Sequence, residues 1–263
     1  MTRTIQQLFN LTGKTALITG GSRGLGLQLA YALGEAGAKV LISSRKAADL
    51  EEACAGLQAA GIDARWVAAD CAKESEIQRL ADETLQRLGH VDILVNNAGA
   101  TWGAPAEDHP LDAWDKVMNL NVRGYFLLSQ IIAKKSMIPR QTGRIINLAS
   151  IAGLNGNPPG MQTIAYNTSK GAVINFTRAL AAEWGKHHIT VNAICPGFFP
   201  SKMTAGLLQA LGEDKLAAAA PLQRLGDDED LKGLAVLYAS DAGKHITGQW
   251  LAVDGGVSVV TGG

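Results

Sequence analysis

The sequence has few cysteines, few aromatic residues and no excess of charge of either sign. Its 263 residues include only Cys54, Cys71 and Cys195, an odd number at wide spacing. A disulfide framework is therefore not expected, and this cysteine usage fits a reducing cytoplasm. Lys and Arg together number 24, as do Asp and Glu. The charge balance gives no reason to expect nucleic acid or an anionic membrane as a partner.

Long apolar runs are also missing. No stretch reaches the roughly 18 apolar residues of a membrane-spanning helix, and residues 1–12 show no secretory signal. The composition, 47% hydrophobic and 18% charged, is typical of an ordered, compact protein. We therefore predict a cytoplasmic protein whose residues 1–263 form one domain.

Short apolar runs alternate with longer segments of helical periodicity. This alternation predicts a Rossmann-like α/β fold, a doubly wound parallel sheet with helices on both faces. The irregular stretch 197–225 contains Pro200 and Pro221 and is predicted to be a substrate lid. The predicted strands are 14–19, 39–43, 64–69, 91–95, 144–148, 189–194 and 249–253. The predicted helices are 24–35, 47–60, 73–88, 112–135, 163–184 and 228–240.

A glycine-rich turn, Thr19–Gly26, joins the first strand to the first helix. Glycines at such a junction let the backbone approach a pyrophosphate, and the helix N-terminus offers free N–H groups and a positive dipole end. The spacing of Gly20, Gly24 and Gly26 differs from the usual G-x-G-x-x-G pattern. The position of the turn nevertheless favours a nucleotide site over a purely structural turn.

Tyr166 and Lys170 are four residues apart in a predicted helix, so they lie on one face, one turn apart. An ammonium beside a phenol is expected to lower the pKa of the phenol from its ordinary value near ~10. A phenol in that state exchanges a proton during carbonyl and alcohol interconversion. Alone, the pair also fits an ordinary solvated helix face.

Six motifs follow one another along the chain. They are the turn Thr19–Gly26, the segment Asn96–Gly99, Ser150, the Tyr166/Lys170 pair, the dipeptide Pro196-Gly197 and the segment Val253–Gly256. In this order they resemble the short-chain dehydrogenase/reductase family, over about residues 11–257. The resemblance implies hydride transfer between a nicotinamide cofactor and a ketone or secondary alcohol.

The resemblance also assigns four catalytic positions. Ser150 would donate a hydrogen bond to the substrate oxygen, and Tyr166 would give a proton to that oxygen or take it. Lys170 would lower the pKa of Tyr166 and hold the nicotinamide ribose. Asn121, chosen over Asn119 by alignment through residues 124–126, would anchor a water and bend its helix.

The end of the second strand indicates the cofactor. Ser44 stands where family members that use NAD carry an aspartate, and Arg45 and Arg23 could bind a 2′-phosphate. We therefore predict NADP(H) in preference to NAD(H). No metal site is expected, because the histidines do not combine into a ligand spacing. The predicted cofactor-binding residues are Gly20, Ser22, Arg23, Gly24, Leu25, Gly26, Ser44, Arg45, Asp70, Cys71, Asn97, Ala98, Gly99, Tyr166, Lys170, Pro196, Gly197, Phe199 and Ser201.

The substrate is the open question. The segments Asn96–Gly103 and Phe199–Thr204 resemble 3-oxoacyl-(acyl-carrier-protein) reductases, including a rhamnolipid-type ketoacyl reductase. Sugar dehydrogenases similar to gluconate 5-dehydrogenase are the alternative. The loop Asn155–Gln162 and Trp102 are expected to border the substrate pocket.

Assembly and a non-enzymatic role are further alternatives. The resemblance implies a homotetramer formed through residues 163–184 and 249–253, with a dimer as the alternative. A regulator that binds NADP(H) without turnover should lack the tyrosine or the lysine, and this sequence has both.

Overall fold

Seven parallel strands pair side by side in the order β3-β2-β1-β4-β5-β6-β7. The computed structural model describes residues 2–158, 160–202, 204, 206, 209 and 212–260. Within them the strands are β1 (Thr15–Thr19), β2 (Lys39–Ser44), β3 (Ala64–Ala68), β4 (Ile93–Asn96), β5 (Gly143–Leu148), β6 (Ile189–Pro196) and β7 (Trp250–Val253). The predicted fold class is confirmed.

Helices cover both faces of this sheet because successive strand residues point to opposite sides. Ala16 and Ile18 of β1 pack in one core, and Leu17 packs in the other. The helices are α1 (Ile5–Phe9), α2 (Gly24–Glu35), α3 (Ala47–Ala59), α4 (Glu74–Leu88), α5 (Leu111–Met118), α6 (Gly124–Ile132), α7 (Ile138–Arg140), α8 (Ile164–Trp184), α9 (Glu213–Ala218) and α10 (Lys232–Ala239). None of the described helices has the length and apolarity to cross a membrane.

The prediction of one continuous α-helix over residues 112–135 is wrong, because π-helical turns interrupt it. The chain runs through α5, the π-helical turn Asn119–Arg123, α6, a second π-helical turn Ala133–Met137 and then α7. Asn121 lies in the first of these turns, where its side chain is fully buried and hydrogen-bonded. A π-helical turn in an α-helix is frequent at functional sites.

The predicted start of the last helix at Asp228 is also wrong, since α10 begins at Lys232. The acidic residues before it form a hydrogen-bonded turn instead. Arg224 donates to both carboxylate oxygens of Asp230 at 2.6 and 2.7 Å, and Asp230 also accepts from the Asp227 main chain. The two parallel bonds to a guanidinium explain why these acids do not begin the helix.

The predicted lid is less irregular than expected, because α9 lies inside residues 197–225. Positions 203, 205, 207, 208, 210 and 211 of that prediction lie outside the described residues.

Candidate active site

The carboxyl ends of the parallel strands meet along one edge of the sheet, and the predicted site residues cluster there. Strand β1 lies between β2 and β4, so the strand order reverses at β1. Crevices at such a reversal are where open α/β sheets bind their ligands. The turn after β1 and the segment after β4 therefore adjoin each other.

The glycine turn after β1 packs closely against Asn97. Gly20 has a φ of 67°, a conformation that favours glycine, and a Cβ added there would lie 2.7 Å from the Asn97 Nδ2. A Cβ at Gly26 would lie 2.3 Å from the Gly20 carbonyl oxygen. No side chain caps the N-terminus of α2, so its main-chain N–H groups stay available to an anion.

Thr19 and Asn97 fasten the two turns together. The Asn97 amide nitrogen donates to the Thr19 and Gly20 carbonyls at 2.9 and 3.2 Å. In return, the Thr19 hydroxyl accepts from the main-chain nitrogens of Asn97 and Ala98 at 3.0 and 3.1 Å. These bonds set the relative position of the glycine turn and the segment after β4.

The end of β2 carries several of the hydroxyl and guanidinium groups that were predicted to bind the cofactor. The buried hydroxyls of Ser43 and Ser44 are without a hydrogen bond among the described residues. Arg45 is exposed, and Arg23 lies 3.4 Å from Asp49 in an exposed ion pair. Unpaired buried hydroxyls beside exposed guanidiniums fit a ribose and its phosphate. The residues present thus fit a dinucleotide at this edge.

Asn121 joins three elements through its side-chain amide. Its Nδ2 donates to the Ala100 carbonyl and to the Ser169 hydroxyl, both at 2.9 Å, and its Oδ1 accepts from the Ala100 nitrogen at 2.8 Å. The Ser169 hydroxyl in turn donates to the Tyr166 carbonyl at 2.7 Å. The π-helical turn, the segment after β4 and α8 are therefore held by one buried amide.

Lys170 lies on α8 one turn after Tyr166, as the spacing predicted, and its side chain is only 4% exposed. Its Nζ donates to the Leu148 carbonyl at 2.6 Å and lies 5.5 Å from the Tyr166 ring centroid. A Cβ added at Gly99 would lie 3.8 Å from this Nζ and 3.4 Å from the Asn121 Oδ1. Burial lowers the pKa of Lys170 to about 8.

The predicted lowering of the Tyr166 pKa is wrong for this structure. Burial raises the pKa of Tyr166 above its ordinary value, and hydrogen bonding with the Ser150 side chain lowers it to a smaller extent. The desolvation cost of a phenolate explains the sign, since burial disfavours the charged form of a phenol. The Ser150 hydroxyl also accepts from the Ala152 nitrogen at 3.1 Å.

Comparison with protein families matches residues 14–212 to the short chain dehydrogenase family. The chain belongs to this family. It is an oxidoreductase that acts on CH–OH and C=O groups.

Three relatives illustrate the similarity. A rhamnolipid-biosynthesis 3-oxoacyl-[acyl-carrier-protein] reductase of Pseudomonas aeruginosa is 41% identical over 254 residues, 94% of this chain and 97% of that protein. A gluconate 5-dehydrogenase of Gluconobacter oxydans is 37% identical over 253 residues, 96% of this chain and 97% of that protein. The crystal structure of a gluconate 5-dehydrogenase from Burkholderia cenocepacia, in complex with NADP and tartrate, has a TM-score of 0.92 at 34% identity and covers 98% of this chain and 100% of that one.

In this dehydrogenase the remaining predicted residues fall into two groups. Asp70 accepts from the Ala72 nitrogen in a local turn, and Ser201 is bonded to Thr204, with its Cβ 3.8 Å from a Cβ added at Gly24. These residues are at the sheet edge. Phe199, by contrast, has a buried side chain that packs in the core. Ser22, Cys71 and Gly197 lie in the connections after β1, β3 and β6, whereas Leu25 lies in the first turn of α2 and Pro196 ends β6.

The dehydrogenase has two further polar residues at the site that the sequence did not single out. Ser169 links Asn121 to α8, and Tyr125 lies buried beside Lys170. Ser169 is three residues after Tyr166, on the same face of α8, and this spacing is the signal that could have identified it. The motifs of the sequence do not include Tyr125.

The two chain segments that were predicted to border the substrate pocket, here called the rim, touch each other. The Ala104 nitrogen donates to the Gln162 carbonyl at 2.8 Å, so the segment after Trp102 meets the end of the loop Asn155–Gln162. Trp102 is 43% exposed, and the exposed Lys116 ammonium lies 5.6 Å from its ring centroid. Position 159 of this loop lies outside the described residues.

Proposed function

We propose that this enzyme is an NADP(H)-dependent ketone reductase with a 3-oxoacyl thioester as its substrate. The observation that carries the reaction is the convergence of Ser150, Tyr166 and Lys170 at the sheet edge, next to a glycine turn that fits a dinucleotide. The bound nicotinamide would supply or accept the hydride.

Each side chain then has a definite task. The Ser150 hydroxyl orients the substrate oxygen, and the Tyr166 hydroxyl gives that oxygen its proton during reduction. Because burial raises the pKa of Tyr166, the phenol stays protonated at neutral pH and is ready as an acid. This protonation state is the one that reduction of a ketone requires.

Lys170 and Asn121 support this pair. The Lys170 ammonium has three N–H donors, of which one is directed to the Leu148 carbonyl. The other two have no acceptor among the described residues and would bind the ribose hydroxyls. Asn121 holds α8 and the segment after β4 in register and serves as the proposed anchor for a water in the proton relay.

The unpaired Ser44 hydroxyl, Arg45 and Arg23 favour NADP(H) over NAD(H). The neighbouring gluconate 5-dehydrogenase structure, which contains NADP, supports this choice. Asp49 holds Arg23 only through an exposed ion pair, and such pairs contribute little. A phosphate can therefore compete for this guanidinium.

For the substrate, the similarity to the rhamnolipid reductase and the character of the rim favour a 3-oxoacyl thioester. Trp102 offers exposed apolar surface for an acyl chain, and Lys116 offers a positive charge for an acidic carrier. The similarity to gluconate 5-dehydrogenases keeps gluconate as the second candidate.

An activity panel tests the proposal. Purified enzyme is assayed for NADPH oxidation with 3-oxoacyl thioesters and cyclic ketones, and for NADP reduction with gluconate and other polyols. The expected result is a kcat/KM for a 3-oxoacyl thioester at least tenfold above that for gluconate in the same units. Turnover of gluconate without turnover of any 3-oxoacyl thioester would show that gluconate is the substrate. Tight NADPH binding without turnover of any compound would indicate the regulator.

We further propose a cytoplasmic homotetramer built from a single domain, with a dimer as the alternative. Leu251 on the edge strand β7 and Phe126 on α6 are exposed apolar side chains, and Phe126 stacks edge-on against Phe176 of α8. Exposed apolar surface of this kind indicates association. Light scattering on the purified protein gives the mass that distinguishes the two assemblies.

A further inference from the structure

Tyr125 is a buried tyrosine beside Lys170 that has no task in the proposed reaction. It is the second residue of α6, directly after the π-helical turn, and is 2% exposed. Its hydroxyl donates to the Leu148 carbonyl at 3.4 Å. That carbonyl also accepts from the Lys170 Nζ, so Tyr125 and Lys170 share one acceptor.

The ring of Tyr125 also faces the ammonium. The Lys170 Nζ lies 5.7 Å from the Tyr125 ring centroid and 5.5 Å from that of Tyr166. Both distances are within the roughly 6 Å over which a ring attracts a cation. Two aromatic rings, one from α6 and one from α8, therefore flank a single buried ammonium.

This ammonium has no carboxylate partner among the described residues. The titratable groups that face it are Tyr166 from α8, Tyr125 from α6 and Cys195 from β6. Cys195 is a buried free thiol, and burial raises its pKa to about 11, so it is neutral at working pH. The favourable contacts of the charged lysine are thus one carbonyl and two ring faces.

We propose that Tyr125 is a positioning residue that acts through Lys170. Its ring stabilises the ammonium form, and its hydroxyl helps to fix the Leu148 carbonyl to which that ammonium is bonded. This inference rests on the proposed function for the task of Lys170, but the attraction between ring and ammonium is measurable without catalysis.

The test replaces Tyr125 by phenylalanine and by trifluorophenylalanine, which keeps the shape of the ring but withdraws the charge from its face. Thermal unfolding is measured for both proteins, each with Lys170 and with Lys170→Met. We expect the fluorinated ring to lower Tm at about pH 7, where the lysine is charged, and to have no effect above about pH 10.5, where it is neutral. With Lys170→Met the difference should disappear at every pH.

The sign follows from linkage. A weaker ring lowers the folded-state pKa of Lys170 further, so the loss of stability is present while the lysine is protonated and vanishes as it deprotonates. An equal Tm for the two rings at neutral pH would overturn the proposal. So would a difference that persists with Lys170→Met, because the ring would then act on something other than the ammonium.

A kinetic arm tests the consequence for the reaction. In the reductive direction, trifluorophenylalanine should shift the alkaline limb of kcat/KM to lower pH and reduce kcat/KM about fivefold near pH 8, relative to Tyr125→Phe. Tyr238→Phe, at a buried tyrosine of α10 that packs in a different hydrophobic cluster from Tyr125, is the matched control. An unchanged alkaline limb together with a Tm difference would contradict the positioning role. A protein without turnover but with the predicted Tm cycle would instead place the failure in the proposed function.

Discussion

The buried polar group around Asn121 and the exposed rim at Trp102 differ in how they are held, although Ala100, a bonding partner of Asn121, is only two residues before Trp102. Ala100 exchanges two hydrogen bonds with Asn121, whereas Trp102, two residues later, is exposed, and its ring is near the exposed ammonium of Lys116. Asn121, Ser169 and Lys170 are all buried and bonded. The difference teaches that this fold fixes the reacting groups firmly and leaves the substrate contacts adjustable.

The largest expected effect comes from the buried group. Tyr166→Phe removes the hydroxyl that is proposed to protonate the substrate oxygen, while the ring still fills its space. We expect kcat to fall by at least about a thousandfold. NADPH binding, measured by fluorescence titration, should stay within about twofold of the wild type. Substantial turnover by this variant would show that another group supplies the proton.

The next effect separates a buried lysine from an exposed one. At about pH 7 Lys170 is charged in both the folded and the unfolded state, but burial lowers its folded pKa to about 8, so the folded state carries a cost. Lys170→Met should therefore raise the free energy of unfolding by about 2 kcal/mol, after the loss of the bond to Leu148. Chemical denaturation provides the measurement.

This gain should shrink as the pH rises from about 8 to 10.5, because the unfolded state binds more protons than the folded state over that range. Lys116→Met at the rim is the control and should change stability by less than about 0.5 kcal/mol. A stability gain for Lys170→Met that is independent of pH would break the comparison between the two regions.

The residues at the end of β2 that are proposed to bind the 2′-phosphate should determine the preference between NADPH and NADH. Ser44→Asp combined with Arg45→Ala places a carboxylate where a 2′-phosphate would bind. We expect the ratio of kcat/KM for NADPH to that for NADH to fall by about tenfold or more, since charge-assisted bonds to the phosphate are lost. Arg178→Ala, at an exposed arginine of α8, should leave the ratio unchanged. Equal use of both cofactors by the wild type would refute the preference.

The smallest effect concerns the loop Asn155–Gln162. The Asn157 Nδ2 donates to the Thr163 hydroxyl at 2.7 Å and to the Asn167 Oδ1 at 3.0 Å, which ties the loop to the start of α8. Asn157→Ala should raise KM for the carbonyl substrate about threefold and leave kcat near the wild-type value. Asn155→Ala removes an exposed side chain and is the matched control. A fall in kcat with constant KM would show that the loop serves the chemistry instead.

The same contrast explains what could be predicted from the sequence. The strands follow from buried apolar runs, and the turn at Gly20 follows from glycines at a strand–helix junction, because burial and backbone freedom are local properties. The π-helical turn at Asn121 and the late start of α10 depend on partners distant along the chain or on competing side-chain bonds. The periodicity of the sequence alone therefore does not predict either feature.

The prediction of a lowered pKa for Tyr166 was wrong for a related reason. The four-residue spacing gave the neighbour of the phenol but not its burial, and burial decides the sign. Likewise, the periodicity of the sequence does not distinguish Tyr125 from the other apolar residues of its helix. Only the three-dimensional structure places its ring 5.7 Å from the Lys170 Nζ.

The π-helical turn Asn119–Arg123 has a consequence for length changes in this chain. A turn of this kind spans one more backbone step than an α-helical turn, so it is the place where the helix can lose a residue and become regular. Deleting one residue of this turn, such as Leu120, should therefore keep α5 and α6 on their present faces, although the geometry that holds Asn121 would be lost. A deletion elsewhere in α5 or α6 would rotate everything on one side of it by about 100° relative to the other. The packing of this helix thus allows a change of length only at the residues that hold Asn121.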